Sequence, residues 1–214
     1  MACTRHLAML TTQLTAMVLA AAGACHATEA IPLKGGPWKR AVFAGGCFWC
    51  MEPPFDALAG VKATYAGYTG GRETHPSYDD VANRRTGHVE AILVAYDPKV
   101  VSYAQLLEVF WHNINPTQDD GQFVDIGPQY RSAIFFTDED ERRQAEASKL
   151  ALGKSGKFSQ PIVTEIRKAG VFWGAETYHQ DFYKKNPTRY HEYRSGSGRD
   201  AFIQQIWGDG RDGR

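Results

Sequence analysis

Two cysteines three residues apart, Cys47 and Cys50, are the side chains of this sequence best suited to covalent chemistry. They follow Gly45-Gly46 and a short apolar segment, so we expect a strand, a turn and the start of a helix around Cys47. A helix N-terminus presents unpaired N–H groups and a partial positive charge, and both favour a thiolate. Because a free thiol has a pKa of about 8.5, a shift to about 7 would ionise half of it at neutral pH. The position predicts a reactive Cys47.

The spacing of the two cysteines also permits a disulfide between them. If the segment is helical, residues three apart lie on one side of the helix, about 5 to 6 Å from each other, which a disulfide can span. Cys47 could then attack a substrate, and Cys50 could trap the sulfur species that results. A pair this close cannot join distant loops, so it indicates redox or metal chemistry rather than a structural disulfide.

Three other interpretations of the pair stay open on the residues alone. Thioredoxin-like oxidoreductases also use Cys-x-x-Cys, but they need a proline before a strand that faces the cysteines, and Pro161 lies far downstream. A binding module with a metal at the cysteines would need two further ligands, and no second Cys-x-x-Cys or suitable histidine pair occurs. The pair could also be two inert, buried thiols.

The elements that must position Cys47 follow from the hydrophobic pattern. Helices are predicted to begin at Cys47, at Ser102, which forms a capping box with Gln105, and at Thr137, where the helix runs to about residue 152. A last helix is predicted over 201–207. Polar loops are expected over 72–87 and 115–128. Strands are predicted over 40–44, 61–68, 88–96 (covered on both faces), 132–136 and 162–166. This alternation predicts an α/β (α+β) fold, a two-layer sandwich in which helices pack on a mixed sheet, with a ferredoxin-like core and long loops.

Residues 1–27 have the pattern of a secretory signal peptide. Arg5 precedes an uncharged apolar run over 7–22, and small residues follow. The run is about 16 residues long, short for a membrane-spanning helix. We expect cleavage near residues 24–27, a lead-in segment over 28–39 and one catalytic domain over 40–214. Export would place that domain in the periplasm, and a lipid anchor at Cys25 is the less favoured alternative.

Charge and composition exclude some functions. The 214 residues carry 24 Lys and Arg against 24 Asp and Glu. Nucleic-acid binding needs clustered basic side chains, so this balance gives no reason to expect it. The chain without its first residues is long enough for one well-packed core. We expect a monomer with no cofactor and no metal.

The residues around the cysteine pair resemble one known family. Gly46-Cys47-Phe48-Trp49, followed by Glu52, resembles the active-site motif of the A-type peptide methionine sulfoxide reductases. The resemblance extends over about residues 40–193. Its further motifs occur in the family's order, and they are Pro76-Ser77-Tyr78, Gly87-His88-Val89-Glu90, Asp125, Gln129-Tyr130-Arg131-Ser132 and Ala175-Glu176-Thr177-Tyr178-His179-Gln180.

The resemblance implies a reaction that suits these residues. The chain would reduce methionine S-sulfoxide, free or in proteins, to methionine, with the Cys47 sulfur attacking the sulfoxide sulfur. Glu90 would protonate the departing oxygen, because the apolar strand around it removes water and raises its pKa. The other implied site residues are Tyr78 and Tyr130, which would hydrogen-bond the oxygen, Phe48 and Trp49, which would enclose the substrate methyl group, and Asp125.

The chain departs from the family pattern in its recycling cysteines. Many members carry them in a C-terminal tail, whereas no cysteine follows Cys50 here. Loss of the oxygen leaves a sulfenic acid on Cys47, which condenses readily with a neighbouring thiol. We therefore expect a Cys47–Cys50 disulfide that a thioredoxin-like dithiol donor reduces. The alternative is direct reduction of the sulfenic acid.

Overall fold

One seven-stranded sheet organises residues 28–208, the part of the chain that the computed structural model describes. The strands are β1 (Ala30–Ile31), β2 (Lys39–Ala44), β3 (Val61–Thr69), β4 (Val89–Tyr96), β5 (Gly121–Gln122), β6 (Asp125–Ile126), β7 (Ala133–Phe136), β8 (Glu165–Lys168) and β9 (Phe172–Gly174). The helices are α1 (Phe48–Asp56), α2 (Tyr78–Ala82), α3 (Tyr103–His112), α4 (Glu139–Lys154), α5 (Phe182–Lys185), α6 (Pro187–Gly196) and α7 (Arg199–Trp207).

The sheet is mixed, as predicted. Its strand order is β1-β9-β3-β4-β2-β7-β8, and every neighbouring pair is antiparallel except β7 and β8, which run parallel. The elements β2, α1, β3, β4, α3 and β7 occur in this chain order, with α2 inserted between β3 and β4 and the strands β5 and β6 inserted before β7, and they form a β-α-β-β-α-β unit, which is the ferredoxin-like arrangement. The strands β5 and β6 form a separate hairpin. The predicted fold class is confirmed.

Aromatic packing holds α1 against the sheet below the cysteines. The Phe43 ring of β2 stacks on Phe55 of α1 and on Phe110 of α3, each with ring centroids 5.2 Å apart. Every residue of β4 is buried, because helices cover one face of the sheet and the chain around Ile31 and Leu33 packs on the other. The expectation of a strand covered on both faces is confirmed.

Several local predictions are wrong in detail. The region 72–87 is not all loop, because Ser77 and Asp80 form a capping box that starts α2. Asp138, not Thr137, caps α4, since its carboxylate accepts the N–H groups of residues 140 and 141. The last predicted strand, 162–166, starts three residues later and ends two residues later, at β8. Helix α6 was not predicted, because Tyr190 is its only buried residue and the hydrophobic pattern is therefore weak.

The segment predicted as a lead-in contributes to the sheet. Strand β1 pairs with β9, and the Thr28 hydroxyl donates a hydrogen bond to the Pro76 carbonyl at 2.9 Å. The predicted signal peptide, residues 1–27, lies outside the described residues. Within residues 28–208, no helix combines the length and the apolar character needed to cross a bilayer.

Candidate active site

Two glycines between β2 and α1 fix the position of Cys47. Gly46 has φ +83°, and a Cβ added there would lie 2.6 Å from the Gln122 Cβ, so the turn needs a residue without a side chain. A Cβ on Gly45 would lie 2.7 Å from the Met51 Sδ. Cys47 follows as the N-cap of α1. The chain therefore enters the helix at Cys47, as the sequence predicted.

Cys47 opens on a cavity of about 110 Å³ at this helix start. Seven of the eight site residues predicted from the sequence line the cavity together with Tyr193, and they are Cys47, Phe48, Trp49, Tyr78, Glu90, Asp125 and Tyr130. The eighth, Cys50, lies outside the lining, with 1% of its surface exposed. A larger open cleft of about 630 Å³ lies along α4, but no cysteine lines it. We therefore assign the candidate active site to the smaller cavity, because that cavity contains the thiol.

Glu90 is the buried carboxyl group of the cavity. It lies on β4 with 2% of its surface exposed, and the Phe48 N–H donates to its Oε2 at 3.1 Å. Burial raises the pKa of Glu90 to about 8, the Phe48 N–H opposes this rise, and the negative charge of Asp125 adds to it. Glu90 therefore holds a proton at neutral pH, as the apolar strand predicted.

The pKa of Cys47 shifts in the opposite direction to the one the sequence predicted. Burial raises the pKa of the Cys47 thiol, and the hydrogen bond to Cys50 and the charge of Glu90 raise it further. The Phe48 N–H, which a thiolate at the helix start would be expected to use, is bound to Glu90 instead. The expectation that the helix N-terminus ionises Cys47 is therefore wrong for the substrate-free site, because desolvation outweighs the helix dipole there.

Cys50 is the more acidic thiol of the pair. The two thiols are hydrogen-bonded to each other and neither is oxidised. The hydrogen bond from Cys47 lowers the pKa of Cys50 to about 7, burial opposes this shift, and the charges of Arg199 and Arg194 support it. The Cys50 N–H donates to the Cys47 carbonyl at 3.0 Å, so the two free thiols lie one helical turn apart at the start of α1, as the spacing predicted.

Two tyrosines present hydroxyl groups to the cavity. Tyr78 is the first residue of α2, and its backbone N–H donates to Glu176 Oε1 at 2.7 Å. Tyr130 ends a short 3-10 helix, Pro128–Tyr130. Burial raises the pKa of Tyr78 to about 12 and also raises that of Tyr130, so both hydroxyls keep their protons and can donate hydrogen bonds.

Phe48 and Trp49 form an aromatic wall of the cavity. The Trp49 ring stacks on Phe182 at 3.6 Å, and its Nε1 donates to His179 Nδ1 at 3.0 Å. The Phe48 ring lies 4.8 Å from the His179 ring. Burial lowers the pKa of His179 to about 4, so the ring is neutral and can accept the Trp49 hydrogen bond.

Sequence reasoning missed three residues of this site. Tyr193 of α6 lines the cavity, and its hydroxyl donates to Asp125 Oδ2, while burial raises the pKa of Asp125. His179 and Glu176 hold Trp49 and Tyr78 from outside the cavity. The sequence analysis did identify the family-like segment around His179, but it assigned no role to His179 or Glu176. No sequence pattern pointed to Tyr193.

The alternative interpretations of the cysteine pair find no support in this geometry. Pro161 is exposed and does not line the cavity, so it does not face the cysteines as a thioredoxin-like proline would. Within residues 28–208, no three His, Cys, Asp or Glu side chains converge in a way that could hold a metal ion.

Comparison with known proteins identifies similar chains. The family model for peptide methionine sulfoxide reductase matches residues 39–211. The peptide methionine sulfoxide reductase MsrA of Bacillus licheniformis is 51% identical over 170 residues, 79% of this chain and 94% of that protein. The Bacillus subtilis MsrA is 52% identical over 168 residues, 78% and 95% of the two chains. The solved structure of methionine sulfoxide reductase A from Corynebacterium diphtheriae superposes with a TM-score of 0.63 at 32% identity, covering 72% of this chain and 77% of that chain.

Proposed function

We propose roles for the individual side chains on the premise that the chain belongs to the peptide methionine sulfoxide reductase family. It reduces methionine S-sulfoxide to methionine and thereby repairs oxidised proteins. Membership favours the reductase interpretation of Cys47 and Cys50 over the thioredoxin-like, metal-binding and inert interpretations. The proposal below concerns which groups carry each step.

Substrate binding uses the two walls of the cavity. The methyl group of methionine sulfoxide packs against Phe48 and Trp49, whose rings Phe182 and His179 hold in place. The sulfoxide oxygen lies toward Glu90 and the two tyrosine hydroxyls. Polar side chains of similar length are disfavoured, because an apolar wall offers them no hydrogen-bond partner.

Oxygen transfer then takes place between two sulfur atoms. The Cys47 sulfur attacks the sulfoxide sulfur while Glu90 protonates the oxygen, and Tyr78 and Tyr130 donate hydrogen bonds to the oxygen as it gains negative charge. The sulfoxide is reduced by two electrons to the thioether: its S–O bond and the transient bond between the Cys47 and methionine sulfurs both break, and the oxygen stays on Cys47, which is oxidised to a sulfenic acid. Glu90 gives its proton to the oxygen, and the proton that the Cys47 thiol loses returns to Glu90. The step therefore consumes no net proton.

Cys50 resolves the sulfenic acid. Its sulfur attacks the Cys47 sulfur, a disulfide forms, and the hydroxyl group leaves as water with one proton. A thioredoxin-like dithiol donor then reduces the disulfide by thiol–disulfide exchange. The hydrogen bond between the two thiols supports this role, since it places Cys50 beside the sulfur it must attack.

One observation carries the proposal: a protonated Glu90 and the Cys47 thiol face the same cavity of about 110 Å³. The test treats the fully reduced protein with one equivalent of each sulfoxide epimer and measures methionine and the cysteine products by mass spectrometry. We expect one methionine per chain from the S epimer and a Cys47–Cys50 disulfide. Cys47→Ser should form no methionine, and Cys50→Ser should form one methionine and keep a sulfenic acid on Cys47. Methionine from Cys47→Ser would overturn the proposal.

We further propose that the chain is exported to the periplasm as a monomer. The charged start, apolar run and small residues within 1–27 support export, and the lipid anchor at Cys25 is the alternative. The N-terminal mass of protein purified from the periplasm tests this, since cleavage near residues 24–27 removes the signal peptide and an acylated Cys25 adds lipid mass. Light scattering of the same sample tests the monomer.

A further inference from the structure

Arg199 of α7 is a buried cation next to the cysteine segment. Only 1% of its surface is exposed, and among residues 28–208 no carboxylate lies within ion-pair distance of it. Its Nη2 donates to the Gly45 carbonyl at 3.0 Å, its Nη1 donates to the Asn113 carbonyl and lies 3.5 Å from Met51 Sδ, and its Nε has no partner among the described residues. Burying an unpaired guanidinium costs several kcal/mol, so a compensating negative charge is expected nearby.

Arg194 of α6 contacts the other end of the same segment. Its Nη1 donates to the Cys50 carbonyl at 3.0 Å, and its Nε is paired with Asp200 at 2.7 Å. Together the two guanidinium groups bind the carbonyls of Gly45 and Cys50, which are the first and last residues of the Gly-Gly-Cys-x-x-Cys segment. We call Arg194 and Arg199 the arginine pair.

The Cys50 thiol has otherwise apolar surroundings. It packs with Phe182 and Tyr190 and is almost fully buried, so without nearby cations burial would oppose its ionisation. The charged and titratable groups that act on Cys50 come from five elements, and they are Cys47 at α1, Glu90 on β4, Asp125 on β6, Tyr190, Tyr193 and Arg194 on α6, and Arg199 on α7. The arginine pair supplies the positive charge in this set.

We propose that the arginine pair positions Cys50 for the resolving step, holding it beside Cys47 and stabilising the Cys50 thiolate that attacks the Cys47 sulfenic acid. This inference rests on the proposed function, in which Cys50 is the resolving thiol. The Cys50 sulfur forms the disulfide bond with the Cys47 sulfur, the Cys47 S–O bond breaks, and the hydroxyl group takes a proton and leaves as water. Cys50 is oxidised and the Cys47 sulfur is reduced. Neither Arg194 nor Arg199 lines the cavity, so the arginine pair acts from behind the cysteine segment as a positioning pair and not on the substrate.

Single-turnover kinetics separate this step from oxygen transfer. The reduced full-length protein is mixed with one equivalent of methionine S-sulfoxide and no reductant, then quenched at intervals, and methionine and the Cys47–Cys50 disulfide are measured. For Arg199→Met and Arg194→Met we expect disulfide formation at pH 7 to slow by about fivefold, because a rise of about one unit from a pKa of about 7 lowers the ionised fraction of Cys50 from about a half to about a tenth. Methionine formation should stay within about twofold, so sulfenic acid accumulates. Arg199→Lys, which keeps the charge, should restore much of the disulfide rate.

Arg40→Met is the matched control. Arg40 is half-buried at the opposite end of β2, and its guanidinium also donates to a backbone carbonyl, that of Pro32. We expect both rates to match the unmodified protein. If Arg199→Met does not fold, as its thermal unfolding will show, Arg194→Met carries the test, because Arg194 has an exposed edge and its removal leaves Asp200 in solvent.

A second measurement distinguishes charge from packing. In the Cys47→Ser background, the rate at which iodoacetamide alkylates Cys50 is followed against pH. Loss of either arginine should move the midpoint up by about one pH unit, and Arg199→Lys should not. A merely structural role would change the overall rate but leave the midpoint in place.

Failure of the inference and failure of the proposed function give different results. If the unmodified protein forms methionine without a Cys47–Cys50 disulfide, the assignment of Cys50 as the resolving thiol is wrong. If the disulfide forms, and both arginine variants form it at the unmodified rate with an unchanged Cys50 midpoint, the inference is overturned while the proposed function stands.

Discussion

Helix α1 separates two regions with different chemistry. One side faces the cavity, where Glu90 and two tyrosines surround Cys47. The other side faces α5, α6 and α7, where Cys50 and Glu52 are buried against the C-terminal helices. Each region contains one carboxyl group whose pKa is raised to about 8, mainly by burial, namely Glu90 and Glu52.

The two carboxyl groups differ in what they can reach. Glu90 lines the cavity and accepts the Phe48 N–H at 3.1 Å. Glu52 is completely buried, its Oε1 accepts the Asp181 N–H at 3.4 Å, and its Oε2 has no partner among the described residues. A raised pKa therefore does not by itself identify a catalytic acid, since structural carboxyls titrate in the same way. Access to the substrate makes the difference.

Replacing the acid should have the largest effect. Glu90→Gln keeps the size and a hydrogen-bond acceptor for Phe48 but cannot donate an acidic proton. We expect the rate of the first methionine in a single turnover to fall by about 10² to 10⁴. Substrate binding should change little. A rate within threefold of the unmodified protein would show that Glu90 is not the acid. The reaction would then depend no more on Glu90 than on Glu52.

Removing one hydroxyl of the cavity should have an intermediate effect. Tyr130→Phe deletes a donor to the developing negative charge, and loss of one such donor reduces kcat by up to about 100-fold. Steady-state assays of Tyr130→Phe, Tyr78→Phe and the half-exposed control Tyr65→Phe measure this. Equal losses in the control and the cavity variants would indicate a general packing effect instead.

The pH dependence should report Glu90 directly. Because Glu90 must be protonated to act, the single-turnover rate should fall about tenfold per pH unit above its pKa of about 8. In Glu90→Gln this decline should be absent, whereas Glu52→Gln should keep it. Retention of the decline in Glu90→Gln would assign it to another group.

Glu52→Gln should have the smallest effect on turnover, within about twofold, since Glu52 does not reach the cavity. Its effect should appear in stability. The folded pKa of Glu52, about 8, lies above the unfolded value of about 4.3, so the stability it contributes is present below about pH 4 and is lost as the pH rises through 8. Urea unfolding should show the variant more stable than the unmodified protein by about 1 kcal/mol or more at pH 8.5, with no gain at pH 4. A gain of equal size at both values would contradict this linkage.

Much of the cavity side of α1 could be predicted from the sequence. Gly45-Gly46 before Cys47 predicted the turn and helix start, and the apolar neighbours of Glu90 predicted its raised pKa. These features depend on residues close together in the chain, so local patterns reveal them. The fold class followed from the same periodicities.

The C-terminal side could not be predicted in this way. Tyr193, Arg194 and Arg199 reach the site from helices with weak hydrophobic patterns, and nothing near them in the chain marks their partners. The direction of the Cys47 pKa shift was predicted wrongly for the same reason. It depends on how Glu90 and the arginines surround the pair, and these groups come from other elements.

The sequence by itself predicted the turn and helix start at Cys47, the thiol three residues on and the apolar surroundings of Glu90, because each of these features is encoded within a few neighbouring residues. Only the tertiary structure decided in which direction the pKa of each thiol shifts and which of the two buried carboxyl groups lines the cavity. Both depend on desolvation and on charges brought together across long sequence separations, and electrostatic energies are set by those distances and not by order along the chain.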